Sequence, residues 1–216
     1  MTMRAKVRTA VDVETRDRLL RAAEQLFAER GYSNVTVRDI CHAARANVAA
    51  VNYHFGDKLG LYREVLQIAI DAVRATTEAG RQAGAGCAAD EKLRRYIGLF
   101  LRRVLSSDHH TVHRLIQREL DDPTPALDAL VEQGVRPRVE YLASLVADMT
   151  GCKPTDQLAL RCVGSIMSQT LVYLRRSPIA ERLGFTFTGT PKQIDDAARH
   201  IAEFSVAGIR AVAQRA

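Results

Sequence analysis

The side chains with the most chemistry to offer lie between Thr36 and Lys58, in the run TVRDICHAARANVAAVNYHFGDK. Val48, Ala49 and Ala50 are small apolar groups that can meet thymine methyls, and Asn52 can pair with adenine or reach a phosphate. Tyr53 and His54 offer donors to a nucleic-acid backbone, Lys58 offers a cation to phosphate, and Arg38 can meet backbone or a base edge. These groups act together only if local structure lines them up. Thr36 and Asp39 have the spacing of a capping box at a helix start. Val37, Ile40, Cys41 and Ala44 then recur at three- and four-residue intervals, which predicts a short helix with one apolar face. Arg45-Ala46-Asn47 interrupts that pattern, and Asn47 is a good N-cap for a second helix from Val48 to His54. Two short helices this close form a helix-turn-helix, whose second member can enter a DNA major groove. Lys58 would open the next helix, where free amides and the helix dipole already favour phosphate. The same residues also have a plainer use, with Tyr53 and Phe55 as core aromatics and Lys58 as a solvated lysine. Core packing is expected for Phe55, and DNA contact for Tyr53, His54 and Lys58.

A second cluster, His109-His110-Thr111-Val112-His113, places His109 and His113 four residues apart, a spacing that can clasp a metal on one helix face. The acid that usually accompanies such a pair is missing, so no metal site is expected. Gln117 shares the helix of His113, and Ser165 and Gln169 lie on a later one. His113, Gln117, Ser165 and Gln169 are the candidates for polar groups in a mostly apolar small-molecule pocket, although each could equally serve interhelical packing. No G-x-S-x-G, P-loop, GxGxxG or paired-carboxylate motif occurs, so an enzyme reading has no mechanism and no cofactor is expected.

Composition agrees with a folded DNA-binding chain. Of the 216 residues, 47% are hydrophobic and 26% charged, and the net charge of +6 favours an anionic partner. Arg4, Lys6 and Arg8 could form a basic arm along phosphates or in a minor groove, or simply a disordered tail. Cys41, Cys87, Cys152 and Cys162 lack metal-site spacing and are expected to be buried, reduced thiols. No apolar run approaches the roughly 20 residues that span a bilayer, and the N-terminus lacks the apolar stretch of a signal peptide. A cytoplasmic location and no membrane partner are expected.

Helical periodicity covers nearly all of the chain. Thr15 to Arg30 is amphipathic and ends at Gly31, and with the helix-turn-helix it makes a three-helix head whose expected core is Leu26, Phe27, Ile40, Val51 and Phe55. Asp57 is placed to cap a fourth helix from Lys58, which the glycines of Gly80 to Gly86 should break. Further helices are expected at about 91–106, 110–120, 126–149, 155–176 and 192–215, with Pro137 kinking or dividing the third of these. Phe185-Thr186-Phe187-Thr188-Gly189 alternates like a strand but has no pairing partner, and reads as an ordered loop or lid. The fold class is all-α, with a three-helix head carrying the helix-turn-helix and a larger helical bundle behind it. The division is expected between a DNA-binding part, 1–57, and a body, 58–216.

The order of long amphipathic helix, Gly31-Tyr32, Thr36-Val37-Arg38-Asp39-Ile40, Asn52-Tyr53-His54-Phe55 and Lys58 resembles the TetR-type regulators over about residues 15–66. The body, through RELDDPTPALD, resembles the CecR-like branch of that family. The resemblance implies a homodimer joined through the last two long helices, a double-stranded DNA operator of roughly palindromic form, and a small-molecule effector that releases it. On that reading the protein is a repressor and not an enzyme. Activation in place of repression, an architectural DNA-binding protein without a ligand, and a metal-binding or enzymatic body stay open as alternatives. One departure stands out: the turn position that is usually glycine in the family is Arg45 here. A non-glycine residue in left-handed geometry costs on the order of 1 kcal/mol. Either the turn is reshaped or Arg45 offsets the strain by touching phosphate.

Overall fold

The computed structural model describes residues 3–105, 110–173, 182–184 and 189–215, with side chains from residue 12 onward except that of His110. The expected lid residues Phe185 to Thr188 lie outside the described residues, as do His109 and the side chains of His110, Arg4, Lys6 and Arg8. The helices are α1 (Met3–Arg30), α2 (Val37–Ala44), α3 (Val48–Phe55), α4 (Lys58–Ala83), α5 (Ala89–Val104), α6 (His110–Asp121), α7 (Leu127–Ala129), α8 (Arg136–Thr150), α9 (Gln157–Val172) and α10 (Pro191–Ala213). There is no strand among the described residues. The chain packs as two compact units, one of residues 1–71 with 111–130 and one of residues 72–110 with 131–216.

In the first unit α1 packs on α2 and α3. It begins at Met3, well before the expected Thr15. Residues 3–14 hold no glycine or proline and are rich in Ala, Arg and Lys, so nothing stops the helix upstream. The basic segment of Arg4, Lys6 and Arg8 is therefore helical backbone, neither an extended arm nor a tail. Leu19, Ala23 and Phe27 of α1, Ile40 of α2, Val51 of α3 and Leu61 and Tyr62 of α4 form the core. Leu26 and Phe55, expected in it, are only half-buried. Phe55 ends α3 at the unit's edge, where the Arg16 guanidinium covers its ring at 5.3 Å. Rings of Phe27, Tyr32 and Tyr62 meet with centroids 4.9 to 5.9 Å apart, a spacing at which aromatic pairs attract beyond simple burial.

The second unit is built from the rest of α4 with α5, α8, α9 and α10. Leu93, Ile97 and Leu101 of α5 pack with Leu142 and Val146 of α8, Val163 and Ile166 of α9, and Ile201 and Val206 of α10. At the surface Asp90 accepts from Arg94 at 3.0 Å and Arg210 at 2.9 Å, and Glu203 accepts from Arg94 at 2.8 Å. That hydrogen bonding holds the carboxyls of Asp90 and Glu203 below the usual range. The four cysteines are free thiols, but only Cys41 is fully buried, so the expectation of four buried thiols needs correcting.

Both expected breakers interrupt their helices, each with a detail the sequence did not give. α4 runs through Gly80 and ends at Ala83, and the Tyr96 ring lies so close to Gly80 that a Cβ there would overlap ring carbon Cδ2. The glycine is a packing surface within the helix, and the chain reverses only later, at Gly86 with φ +76°. Pro137 does divide its helix, and the break extends upstream: Leu130–Val135 form a π segment before α8 starts, with the proline in its first turn. Proline lacks an N–H and its ring clashes with the carbonyl four residues back, so a wider turn ahead of it relieves both.

A second glycine is fixed by close approach. A Cβ on Gly60, in the first turn of α4, would overlap the backbone carbonyl of Phe55 at the end of α3. Gly60→Ala is expected to lower stability by about 1–3 kcal/mol. Gly98→Ala on α5, where an added Cβ meets nothing within 4 Å, should raise it by up to ~1 kcal/mol through helix propensity. Chemical denaturation of the two variants beside wild type reads both signs.

Candidate nucleic-acid interface

An eight-residue helix is too short to persist alone, so α3 depends on its ends and neighbours. Its partner α2 starts with a complete capping box. The Asp39 amide donates to the Thr36 hydroxyl at 3.2 Å, and the Thr36 amide and hydroxyl donate to Asp39 Oδ2 at 2.8 and 2.6 Å. Those bonds, the hydroxyl's foremost, hold the Asp39 carboxyl below the usual carboxylate range. At the other end Arg45 keeps the left-handed geometry, with φ 50° and ψ 49°. Its amide donates to His42 O at 3.2 Å and the Ala46 amide to Cys41 O at 2.9 Å. That pair of bonds is a Schellman cap. The turn is not reshaped by the missing glycine.

Asn47 caps α3 through Oδ1, which accepts from the Ala49 amide at 3.0 Å. Within α3 only Val51 is buried. Val48, Ala49, Asn52 and Tyr53 are exposed, Ala50 and His54 half-buried. Tyr53 leaves 76% of its surface open and Val48 41%, a large apolar exposure on so small a helix. The exposed set falls one turn apart along one side of α3, with Arg38 and Arg45 exposed on the preceding helix and turn. The Tyr53 and His54 rings meet edge to face at 4.9 Å.

Gly56, at φ 79°, turns the chain out of α3, and Asp57 caps α4 by accepting from the Gly60 amide at 2.7 Å. Lys58 is half-buried there, its Nζ 4.1 Å above the Tyr32 ring. Burial lowers its pKa. The ring holds the ammonium in place, and a cation on an aromatic face keeps donors free for an anion. Tyr32 had no role assigned from sequence beyond its place in the Gly31-Tyr32 pair, and its position between two helices was the available signal.

Glu119, in the RELDDPTP run, is another residue whose part was not foreseen. It has no exposed surface and accepts from the Tyr62 hydroxyl at 2.6 Å and from the Thr124 amide and hydroxyl, both at 2.9 Å. Burial, then the bond to Glu119, push the Tyr62 phenol far above its usual value. Near it Arg118 donates to Glu29 O at 2.8 Å and the Ser33 hydroxyl to Asp122 at 2.7 Å. The end of α6 is thereby fastened to α4 and to the exit of α1.

The four pocket candidates fall two to each unit. His113 and Gln117 belong to the first unit, one turn apart on α6, where His113 is half-buried and Gln117 donates to Asp121 at 3.2 Å. Ser165 and Gln169 belong to the second: Ser165 is exposed, and Gln169 donates to its carbonyl at 3.2 Å and to the Ser205 hydroxyl of α10 at 3.3 Å. Among the described residues no three His, Cys, Asp or Glu side chains are placed to hold a metal, and no helix is long and apolar enough to cross a membrane.

A short, doubly capped helix bare along one side, within an all-α chain, defines a helix-turn-helix protein. Residues 19–65 match the model of bacterial regulatory proteins of the tetR family, and residues 89–209 match that of the C-terminal domain of the HTH-type transcriptional dual regulator CecR. The chain belongs to the TetR family of DNA-binding transcriptional regulators, in its CecR-like branch, and is not an enzyme. It is 28% identical to the transcriptional dual regulator CecR of Shigella flexneri over 183 residues, 80% of this chain and 82% of that one. It is 40% identical over 53 residues to the transcriptional repressor BepR of Brucella suis, covering 24% of this chain and 25% of that one. Its fold matches SCO4454, a TetR-family regulator of Streptomyces coelicolor, with TM-score 0.67 and 19% identity over 92% of this chain and 97% of the other.

The left-handed Arg45 gives a direct test of what its side chain does. Arg45→Gly should stabilise the protein by roughly 1 kcal/mol by removing the steric cost. Denaturation midpoints measure that gain, and a salt titration of DNA binding on the same variant shows whether a phosphate contact was lost with it.

Proposed function

We propose that the chain is a ligand-responsive repressor that binds a roughly palindromic double-stranded DNA operator as a homodimer and is released by a small-molecule effector. Residues 1–57 serve as the reading head and 58–216 as the ligand-binding and dimerising body. The protein works in the cytoplasm, where operator DNA is. The observation that carries the reading is the bare side of α3. Val48, Ala49 and Ala50 face thymine methyls, Asn52 reads adenine, and Tyr53, His54 and Lys58 bind the phosphate backbone. Thr36 and Asn47, besides capping, have hydroxyl and amide groups beside the duplex, and Arg38 meets backbone or a base edge. BepR is named a repressor, and that match supports the regulatory sign. CecR is named a dual regulator, which favours a second reading in which the same head also activates at other promoters; reporter fusions in strains with and without the protein separate the two.

Dimerisation is supported by what α9 and α10 leave uncovered. Of their apolar residues, Val163, Ile166, Ile194, Ile201, Val206 and Ile209 are consumed by the chain's own core. The remaining faces still expose Leu160, Leu171 and Val172 on α9 and Phe204 and Val212 on α10, with Gly164 and Gly208 open beside them. Phe204 is 63% exposed. Two such faces from two copies make a four-helix interface with two-fold symmetry, which a palindromic site mirrors.

Phe204→Glu should yield a monomer by light scattering. With only one head engaging, its operator affinity should fall by about 100-fold or more. Lys58→Ala should weaken binding to all sequences and reduce the slope of log affinity against log salt by about one, whereas Asn52→Ala should change base preference. Binding to upstream DNA against scrambled DNA of equal length provides the assay. An unchanged salt slope together with unchanged base preference would remove these residues from the interface.

A further inference from the structure

The second unit buries a charge that no carboxylate among its described residues balances. Arg138 is 8% exposed, yet no carboxylate among the described residues pairs with it, and its Nε and Nη2 have no hydrogen-bond partner. Its guanidinium carbon lies 4.0 Å over the Phe100 ring. Buried charges are ordinarily paired, and arginine does not escape the cost by losing its proton as a lysine can. Water could satisfy the two N–H groups but could not neutralise the cation.

The surroundings repeat the pattern. Tyr96 stacks beside Phe100, with centroids 6.1 Å apart and planes at 17°, and meets Tyr141 edge to face at 5.5 Å. The Tyr96 hydroxyl neighbours Thr77 and Arg138 without making a well-formed hydrogen bond to either, and the Tyr141 hydroxyl is equally buried and unpartnered. Thr76 and Thr77 have spent their protons on Ala72 O and Val73 O. Arg81 adds a second cation, 5.0 Å from the Tyr141 ring. The Arg138 N–H groups can only donate, the two phenols can donate as well as accept, and all of them are gathered among aromatic rings.

Geometry narrows the ligand further. Nε–H and Nη2–H lie on one edge of a guanidinium and point in parallel, the edge that meets both oxygens of a carboxylate. Arg138 directly follows Pro137, behind the π segment, an irregularity often found at functional sites. We propose that Arg138, with the Tyr96 and Tyr141 hydroxyls, binds the carboxylate of a small organic acid whose apolar or aromatic body lies against Phe100, Tyr96 and Tyr141. The inference rests on the ligand-responsive reading above and names the chemical class of the effector.

The test uses the full-length protein and three acid–amide pairs: benzoate with benzamide, phenylacetate with phenylacetamide, and octanoate with octanamide, plus sulfate at matched ionic strength. At least one carboxylate should raise the unfolding temperature saturably while its amide and sulfate do not. Arg138→Met should weaken that binding about 100-fold, and Tyr141→Phe about 5- to 10-fold. Without added ligand, Arg138→Met should unfold about 2–4 °C higher than wild type, because an unpaired buried charge has been replaced by a matching apolar side chain. A lower unfolding temperature for Arg138→Met would make Arg138 a structural strut and overturn the proposal. So would equal shifts by acid and amide, an equal shift by sulfate, or no saturable shift with any of the three acids. Operator release is measured separately. Arg138-dependent carboxylate binding that leaves the operator bound keeps this site and removes the effector reading. Release by a neutral compound in the Arg138→Met variant keeps the effector reading and removes this site.

Discussion

A helix that leaves most of its surface bare has almost nothing left with which to hold itself in place. α3 buries one side chain, Val51, and spans eight residues, a length at which a helix in water is mostly unfolded. The order it lacks is supplied from outside. Asn47 and Gly56 define its ends, α2 braces it behind a capping box and a Schellman cap, and Gly60 lets α4 approach the Phe55 carbonyl. Lys58 and Tyr32 fix the exit, with the Phe27 and Tyr62 rings beneath. Each is a small contribution, on the order of 1 kcal/mol for a cap or an aromatic pair, and the helix needs several of them together.

The buried carboxylate of Glu119 belongs to the same economy. A charge with no exposed surface is tolerable only when its lone pairs are met. Tyr62 and Thr124 meet them from two sides, and Tyr62 is also part of the aromatic cluster. Removing either partner would leave an unsatisfied carboxylate in the core. The bond therefore fixes α6 against α4 more strongly than an apolar contact of equal area, because the alternative to the correct packing is so costly.

What the sequence made legible follows from how local the cause is. The capping box, the Asn47 and Asp57 caps and the apolar face of α2 are set by residues within four positions of one another, and all were readable. The break fell within the expected Gly80 to Gly86 stretch, but the contact of Gly80 with the Tyr96 ring was not readable, because that ring lies sixteen residues away. α9 and α10 were readable as long helices, but periodicity could not say which of their residues the chain's own core would take. Phe55 was expected in the core, and its half-burial under Arg16 depends on a helix more than thirty residues earlier. Arg138 was invisible. It stands between Arg136, which pairs with Glu132 at 2.6 Å, and Glu140, and nothing local distinguishes a surface arginine from a buried one.

The two units depart from the usual rules in opposite directions. The first leaves Val48 and Tyr53 in water and holds Arg45 in a backbone region that suits glycine; the second takes a guanidinium out of water without a counter-charge among the described residues. Elsewhere Glu119 is fully bonded, and the capping boxes of α2 and α10 are in place. Local inconsistencies of this kind lower stability and persist where something outside the folded chain rewards them. A duplex is the natural recipient of a bare helix face, since thymine methyls accept apolar contacts and phosphates accept donors. A carboxylate is the natural recipient of parallel N–H groups beside two phenols. In both units the exceptions are donors and apolar surface presented together, and each set asks for a partner that is anionic at one edge and flat or apolar at the other.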